Sequence, residues 1–141
     1  MYTYGPNQIE EGIKLLEEAT HLVGHNIIGF DIPVIEELYD RPNLTEGKEI
    51  IDTLVLSRLF NPSREGGHGL GVWGTKLNLS KIEFKEFDAF TCEMLDYCIR
   101  DVELNEKIFY ALREESKGFS KDSLALEHSI AKILKDQEKY G

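Results

Sequence analysis

Residues 21–33, HLVGHNIIGFDIP, decide the fold that we predict for this chain. The apolar run at residues 21–25 is typical of a short buried strand, and residues 26–29 supply the polar and glycine positions of a turn. Asp31 and Pro33 come next, and both residue types are favoured at the start of a helix. A strand that turns directly into a helix predicts an α/β fold with Asp31 at the end of the sheet, where ligand sites of α/β proteins gather.

The same strand-to-helix pattern occurs once more, and helices fill most of the remaining chain. Residues 49–51 predict a second short strand, and Asp52 follows as the expected cap of a helix. The longest periodic stretch, residues 88–115, predicts a helix with one apolar stripe. Further elements are expected as a strand end at residues 2–4 and helices at residues 9–19, 68–77 and 122–134. The predicted fold class is therefore α/β, dominated by helices, with a short residual sheet that the helices must cover.

Composition narrows the functional classes. The chain has 141 residues, enough for one domain with its own core, and a net charge of −10. This charge argues against a protein that holds duplex DNA through many phosphates. It is compatible with an enzyme that grips a few nucleotides, because bound divalent cations then supply positive charge and require carboxylates around them. No apolar run is long enough to span a bilayer, so no membrane partner is expected.

Two carboxylates are candidate site residues. Asp31 lies where a strand becomes a helix, although spacing alone favours a plain helix cap for this residue. Tyr97 and Asp101 are four residues apart and therefore share one face of a helix. A phenol beside a metal-binding carboxylate can hold a water for attack on phosphorus, and the alternative is a surface aspartate beside a tyrosine at the edge of the core. Asp52 is expected to be only a helix cap.

Three other patterns predict no site. Gly69, Gly71 and Gly74 match the letters of a dinucleotide-binding motif, but a polar loop precedes them instead of a strand. The histidines have no zinc-like spacing. Cys92 and Cys98 are six residues apart on different faces of a predicted helix, so we expect small buried apolar residues or inert thiols without a disulfide.

Four blocks of sequence then occur in one order. They are residues 25–31 (HNIIGFD), 51–59 (IDTLVLSRL), 68–77 (HGLGVWGTKL) and 97–101 (YCIRD). Together, and far more specifically than any one block, they resemble the 3′–5′ proofreading exonuclease of podophage-type family A DNA polymerases. That exonuclease belongs to the tyrosine branch of the DEDD group of ribonuclease-H-like nucleases. The resemblance runs from about Tyr2 to Leu112 and implies a ribonuclease-H-like exonuclease fold.

The end of the chain extends the resemblance. Residues 127–141 look like the opening of the polymerase portion of such enzymes. The expected division is therefore residues 1–117 as an exonuclease domain fragment and residues 118–141 as a linker and the first helix of the polymerase portion.

The resemblance implies roles for individual residues. Asp31 and Asp101 match carboxylates that hold two Mg²⁺ or Mn²⁺ ions, which activate water and steady the leaving 3′ oxygen. Tyr97 matches the tyrosine that orients the attacking water, which makes Tyr97, Asp101 and Asp31 the expected catalytic residues. Asn26 and His68 are expected to bind the substrate. The implied reaction releases nucleoside monophosphates from the 3′ end of single-stranded DNA.

One motif of the family has no counterpart here. The family begins with a strand that carries Asp-x-Glu, which supplies the other two carboxylates. Residues 101–103 and 136–138 have these letters, but both lie in predicted helices. The chain is therefore expected to be truncated at its N-terminus, with half of the metal ligands absent and its activity impaired.

The implied partners are the 3′ end of single-stranded DNA and a polymerase portion on the same or a separate chain, acting in the cytoplasm of a phage host. Two alternatives remain at this point. A non-catalytic remnant could bind DNA or another protein through an exposed sheet edge. A ribonuclease-D-like RNA exonuclease would share the Tyr97 and Asp101 pattern.

Overall fold

The computed structural model describes all residues, Met1–Gly141, and shows a helix-rich mixed α/β fold with a short parallel sheet. The elements in order are a 3₁₀ turn (Pro6–Gln8), helix α1 (Ile9–Glu18), strand β1 (His21–Gly24), helix α2 (Asp31–Leu38), strand β2 (Glu49–Asp52), and helices α3 (Thr53–Phe60), α4 (Leu70–Lys76), α5 (Cys92–Glu115) and α6 (Lys121–Tyr140). The α/β fold class and both predicted strands are confirmed.

The sheet consists of β1 and β2, which run parallel with His21 beside Glu49 and Gly24 beside Asp52. Both strands therefore end at the same edge of the sheet, and the residues that follow them are brought together there. Glu49 N–H donates to Thr20 O across this pair. In a parallel ladder every second residue of a strand bonds to the same neighbouring strand. Since Thr20 bonds to β2, the N–H and C=O groups of Val23 point away from β2. Val23 is also exposed.

The main core lies on α5, where Leu104, Ile108 and Leu112 are fully buried. Their spacing of four residues places them on one face of the helix. Leu56 of α3 and Trp73 of α4 pack against this face, and α6 packs on α3 and β2 from the other side. The helices thus bury the apolar surface that a sheet of two short strands cannot bury by itself.

An ion pair between the buried Arg64 and the exposed Glu115 fastens α5 to the loop before α4. Arg64 donates to both carboxylate oxygens of Glu115, at 3.0 and 2.5 Å. Its guanidinium carbon also lies 4.4 Å from the centre of the Trp73 ring. Two parallel hydrogen bonds and a stacked aromatic ring fix the geometry of a charge that would otherwise be costly to bury.

Several sequence-based boundaries need correction. Residues 2–4 form no strand, α4 begins only at Leu70, and α5 begins at Cys92 instead of residue 88. The start of α5 is set by Thr91, whose hydroxyl accepts from Met94 N–H at 3.1 Å. Ser120 caps α6 in the same way, and that helix runs from Lys121 to Tyr140 instead of residues 122–134.

Two further findings concern the surface. Both cysteines are free and exposed, so the expectation that they are buried apolar residues is wrong. No helix combines the length and the apolar character that crossing a membrane requires.

The two long helices are separated by a short break in which Gly118 has a φ of 96°. This left-handed conformation is easily reached by glycine and ends α5. The break lies at the predicted boundary between residues 117 and 118. The assignment of residues 118–141 to a polymerase portion stays a prediction.

Candidate functional site

Asp52 organises the edge of the sheet at which both strands end. It is 1% exposed, and its carboxylate accepts hydrogen bonds from Leu54 N–H at 2.9 Å, Asn26 N–H at 2.9 Å and Ile28 N–H at 3.1 Å. The first bond caps α3 as predicted, while the other two hold the turn that follows β1. Asn26 itself has a φ of 62°, a conformation that asparagine tolerates better than most residues. Asp52 is thus a buried carboxylate that joins the start of α3 to the turn after β1.

Thr53 joins the strand ends to α5. Asn105 Nδ2 donates to Thr53 Oγ1 at 2.8 Å, and His25 Nδ1 lies 2.9 Å from the same oxygen. Tyr97 and Asp101 precede Asn105 by two turns and one turn of α5, on the same helix face. The hydrogen bond of Asn105 therefore directs this face toward the ends of β1 and β2.

Lys81 is the residue that Tyr97 and Asp101 meet. Its Nζ lies 3.4 Å from Asp101 Oδ2 and 5.0 Å from the centre of the Tyr97 ring. Burial lowers the pKa of Lys81, but the neighbouring Tyr97 side chain and the charge of Asp101 together outweigh it, so that the pKa lies above its ordinary value. The other oxygen, Asp101 Oδ1, is buried and has no hydrogen-bond partner. Lys81 thus lies against both Tyr97 and Asp101, and their role as a catalytic pair stays a prediction.

Asp31 is the first residue of α2, but Phe30 is the N-cap and no side chain caps this helix. The simple capping role is therefore absent. Although Asp31 is exposed overall, partial loss of water around its carboxyl group raises its pKa, and the negative charge of Asp52 adds to the rise. Cation binding would offset such a shift, because a nearby positive charge favours the ionised carboxylate.

The two predicted substrate-binding residues differ in their surroundings. Asn26 is exposed beside the strand ends, and its main chain is held by Asp52. The ring of His68 is partly buried, with Nδ1 2.8 Å from Ser57 Oγ and Nε2 3.4 Å from Pro62 O. Ser57 Oγ also accepts from Trp73 Nε1 at 3.1 Å. His68 therefore supports the packing of α3 against α4, while a role in substrate binding stays a prediction for both residues.

The metal-binding capacity of these residues is small. No group of three or more His, Cys, Asp or Glu side chains converges anywhere in the structure. Asp101 offers one unpartnered oxygen, but its other oxygen is paired with Lys81. Two close divalent cations need several anionic oxygens for charge neutralisation. The residues present do not by themselves fit a two-metal centre.

Sequence reasoning missed Lys81 and His128. His128 Nε2 accepts from Asp52 N–H at 2.9 Å, and His128 Nδ1 donates to Leu124 O at 2.7 Å. These bonds tie α6 to the outer edge of β2. Neither residue carries a local signal, because Lys81 lies in an irregular segment and His128 on a regular helix.

The pH dependence of stability can be predicted from His25. Burial of the ring lowers its pKa below the ordinary value of 6.5, although the charge of Asp52 opposes the shift. The fold thus holds His25 neutral, whereas the unfolded chain takes up a proton near that ordinary value. The contribution of neutral His25 to the free energy of unfolding is therefore complete at higher pH. It is lost as the pH falls through about 6.5 toward the lower pKa of the folded state, because the unfolded chain then binds the proton first.

The melting temperature should therefore fall between pH 7.5 and pH 5.5, as measured by circular dichroism. His25→Asn keeps a polar group near Thr53 but removes the titrating ring, so we expect a smaller fall in that variant. An equal fall in both proteins would contradict the assignment to His25.

Comparisons with known proteins indicate a relationship. No protein-family model matches the chain. The DNA-directed DNA polymerase of Enterobacteria phage T3 is 25% identical in an alignment 200 residues long, which covers 99% of this chain and 28% of the polymerase. The DNA-directed DNA polymerase of Escherichia phage T7 is 25% identical over 176 residues, which cover 85% of this chain and 25% of that protein. The chain spans about a quarter of the length of these relatives, so the similarity is to one region of phage DNA polymerases.

Proposed function

We propose that this chain is the 3′–5′ exonuclease part of a polymerase-related protein, with a ribonuclease-H-like fold. The substrate would be the 3′ end of single-stranded DNA, and the products would be nucleoside monophosphates. The observation that carries the proposal is the Tyr97–Asp101 pair on the α5 face that Asn105 joins to Thr53, directly after β2, in a chain similar to a region of phage DNA polymerases. Proofreading in the cytoplasm of a phage host is the setting that this function implies.

The chain's own residues have separate roles in this proposal. Asp31 and Asp101 are the carboxylates that it offers to Mg²⁺ or Mn²⁺, and Tyr97 carries the hydroxyl that would orient a water. Asn26, which is exposed beside the strand ends, is placed to contact the terminal nucleotide. The Asp-x-Glu pair of the resembled exonucleases has no counterpart among these 141 residues. We therefore expect weak cation binding and slow hydrolysis by this chain alone.

The test is hydrolysis of a 3′-labelled single-stranded DNA oligonucleotide with Mn²⁺, with an RNA oligonucleotide of the same sequence in parallel. We expect slow release of mononucleotides from the DNA. Asp101→Asn should abolish it, because the anionic oxygen is lost, and Tyr97→Phe should reduce it by about 10²–10⁴-fold if the hydroxyl positions the attacking water. Glu103→Gln, a charge change on an exposed turn of α5, is the matched control and should retain the activity.

A second candidate is a non-catalytic module that binds a 3′ end, and the Lys81–Asp101 ion pair favours it because the carboxylate is already neutralised. Fluorescence anisotropy with linear and circular single-stranded DNA separates the candidates. Preference for linear DNA without hydrolysis would support the binding module. Neither hydrolysis nor a preference for free 3′ ends by the folded chain would overturn the proposed function, and faster hydrolysis of RNA would favour a ribonuclease-D-like enzyme.

A further inference from the structure

Helix α6 is attached to the rest of the molecule by one of its faces. His128 Nε2 accepts from Asp52 N–H at 2.9 Å, and Leu124 packs against the core cluster. These two residues are four positions apart and therefore lie on the same side of the helix, which contacts α3 and β2. The hydrogen bond between His128 and Asp52 thus fixes which side of α6 faces the protein and which side turns away from it.

The side that turns away carries a stripe of large apolar side chains. The members of this α6 stripe recur at helical spacing, are between 40% and 63% exposed, and are Leu126, Ile130, Ile133 and Leu134. Because successive residues of a helix are rotated by about 100°, the stripe lies about half a turn from Leu124 and His128. A single exposed leucine is ordinary, whereas four apolar side chains in helical register form a continuous patch of the kind that marks an interaction surface.

The rim of the α6 stripe is acidic. By the same helical geometry, carboxylates flank the stripe on both sides, Asp122 and Asp136 on one and Glu127 and Glu138 on the other. One of the four, Glu138, is paired, with Lys135 Nζ at 3.6 Å from its Oε2. The lysines of α6 all lie within about a quarter of a turn of His128, on the side that faces the protein; they are Lys121, Lys132, Lys135 and Lys139. The helix therefore separates its charges, with carboxylates beside the stripe and ammonium groups away from it.

A second copy of the chain is a poor partner for this face. Two α6 helices that met along their stripes, in either direction, would bring two carboxylate rims together with no cation between them. Like charges on the flanks of a helix pair oppose its formation, and each chain carries a net charge of −10. The α6 stripe is instead complementary to an apolar surface that has cations on its flanks.

We propose that the α6 stripe is the docking surface for an amphipathic helix of a partner protein, one whose apolar face is flanked by lysine or arginine. From Leu126 to Leu134 the stripe is about 12 Å long, which matches about two turns of a partner helix. Apolar side chains of the partner pack against Ile130 and Ile133 in the middle of the stripe. The long aliphatic stems of its lysines or arginines cover the edges while their charged ends meet the carboxylate rim. The inference goes beyond the proposed exonuclease, because none of these residues belongs to the candidate site.

The test titrates the full chain into two synthetic helical peptides that carry a fluorophore, with anisotropy as the readout. Both peptides have leucines along one face at the spacing of the α6 stripe. One peptide has lysines on both flanks of that face, and the other has glutamates there. We expect the lysine peptide to bind about tenfold more tightly, since several exposed ion pairs each contribute a fraction of a kcal/mol. The preference should shrink in about 1 M salt, which screens charges at the surface.

Variants of the chain locate the binding surface. Ile133→Ser removes an apolar side chain from the middle of the stripe and should weaken binding of the lysine peptide about tenfold. Val102→Ser is the matched control, because Val102 is similarly exposed but lies on α5, and it should leave the affinity within about twofold. The rim variant Glu127→Gln with Asp136→Asn should remove most of the preference for lysine over glutamate. Circular dichroism verifies the folding of each variant.

Three results would overturn the inference: no binding of the lysine peptide, equal binding of the two peptides, or equal losses in the Ile133 and Val102 variants. Sedimentation equilibrium of the chain alone tests the second copy. We expect a monomer, and a dimer that Ile133→Ser dissociates would show that the stripe pairs with itself and would overturn the inference as well. None of these measurements depends on DNA cleavage, so the docking surface and the proposed exonuclease stand or fall separately.

Discussion

Replacing Asp52 by asparagine is expected to destabilise the fold by about 3–5 kcal/mol, because several buried N–H groups lose an anionic acceptor. Asp52 is 1% exposed and receives bonds from the turn after β1 and from the start of α3. An asparagine side chain has one uncharged acceptor oxygen, and if this oxygen keeps the bonds of Oδ1, the amide nitrogen would face the Ile28 N–H. Each donor left unsatisfied in a buried site costs about 1–3 kcal/mol.

The measurement is urea unfolding followed by far-ultraviolet circular dichroism. Asp136→Asn is the matched control, because Asp136 is exposed on α6 and forms no side-chain hydrogen bond or ion pair. Its replacement should change the free energy of unfolding by less than about 0.5 kcal/mol. Similar stabilities of the two variants would show that the Asp52 bonds exchange readily with water. Since a domain of this size is stable by only about 5–15 kcal/mol, the Asp52 variant should show a clearly lower urea midpoint.

The role of Asp52 also bears on the proposed site. Its carboxylate fixes the main chain of Asn26 and Ile28, a few residues before Asp31. His128 binds the main chain of Asp52 from α6. The position of Asp31 at the sheet edge therefore depends on contacts from three separate parts of the chain, although two strands alone form the sheet.

Local signals explain which parts of the fold could be predicted from sequence. The strand at His21–Gly24 and the helix after Asp52 follow from apolar runs and capping chemistry that involve neighbouring residues only. The start of α5 was harder to predict, because the acidic and apolar residues before Thr91 already match a helical pattern. In the structure the helix begins only after Thr91, whose hydroxyl accepts a hydrogen bond from Met94 N–H. The exposed cysteines were missed because periodicity does not say which helix face finds a partner.

The candidate site, in contrast, could be predicted only in part from the sequence. The spacing of Tyr97 and Asp101 predicts a shared helix face, and a helix of regular geometry provides it. Their contact with Lys81 depends on how the irregular segment between α4 and α5 crosses α5, which no local pattern encodes. In the same way, the bond between Asn105 and Thr53 joins residues 52 positions apart in the chain. Residues that supply charge to a site from an irregular segment are found only in the folded structure.

The buried face of α5 also helps to position the candidate site. Leu104, Ile108 and Leu112 are each 0% exposed, and the same helix carries Asp101 about one turn and Tyr97 about two turns before Leu104. Packing on α3 and α4 thus sets the position of the pair relative to the strand ends. Loss of packing in this core should weaken the whole fold without touching the site residues.

Ile108→Ala is therefore expected to lower the free energy of unfolding by about 2–5 kcal/mol, through lost apolar contacts and the cavity that remains. Trp73 is the chain's single tryptophan and is 3% exposed in the same core, so the red shift of its emission in urea reports unfolding directly. Val102→Ala is the matched control on α5, because Val102 is 56% exposed and its replacement should cost under about 0.5 kcal/mol. Equal urea midpoints for the two variants would mean that the α5 core is not packed as described. The helix that carries Tyr97 and Asp101 would then lack the rigid support on which the proposed site depends.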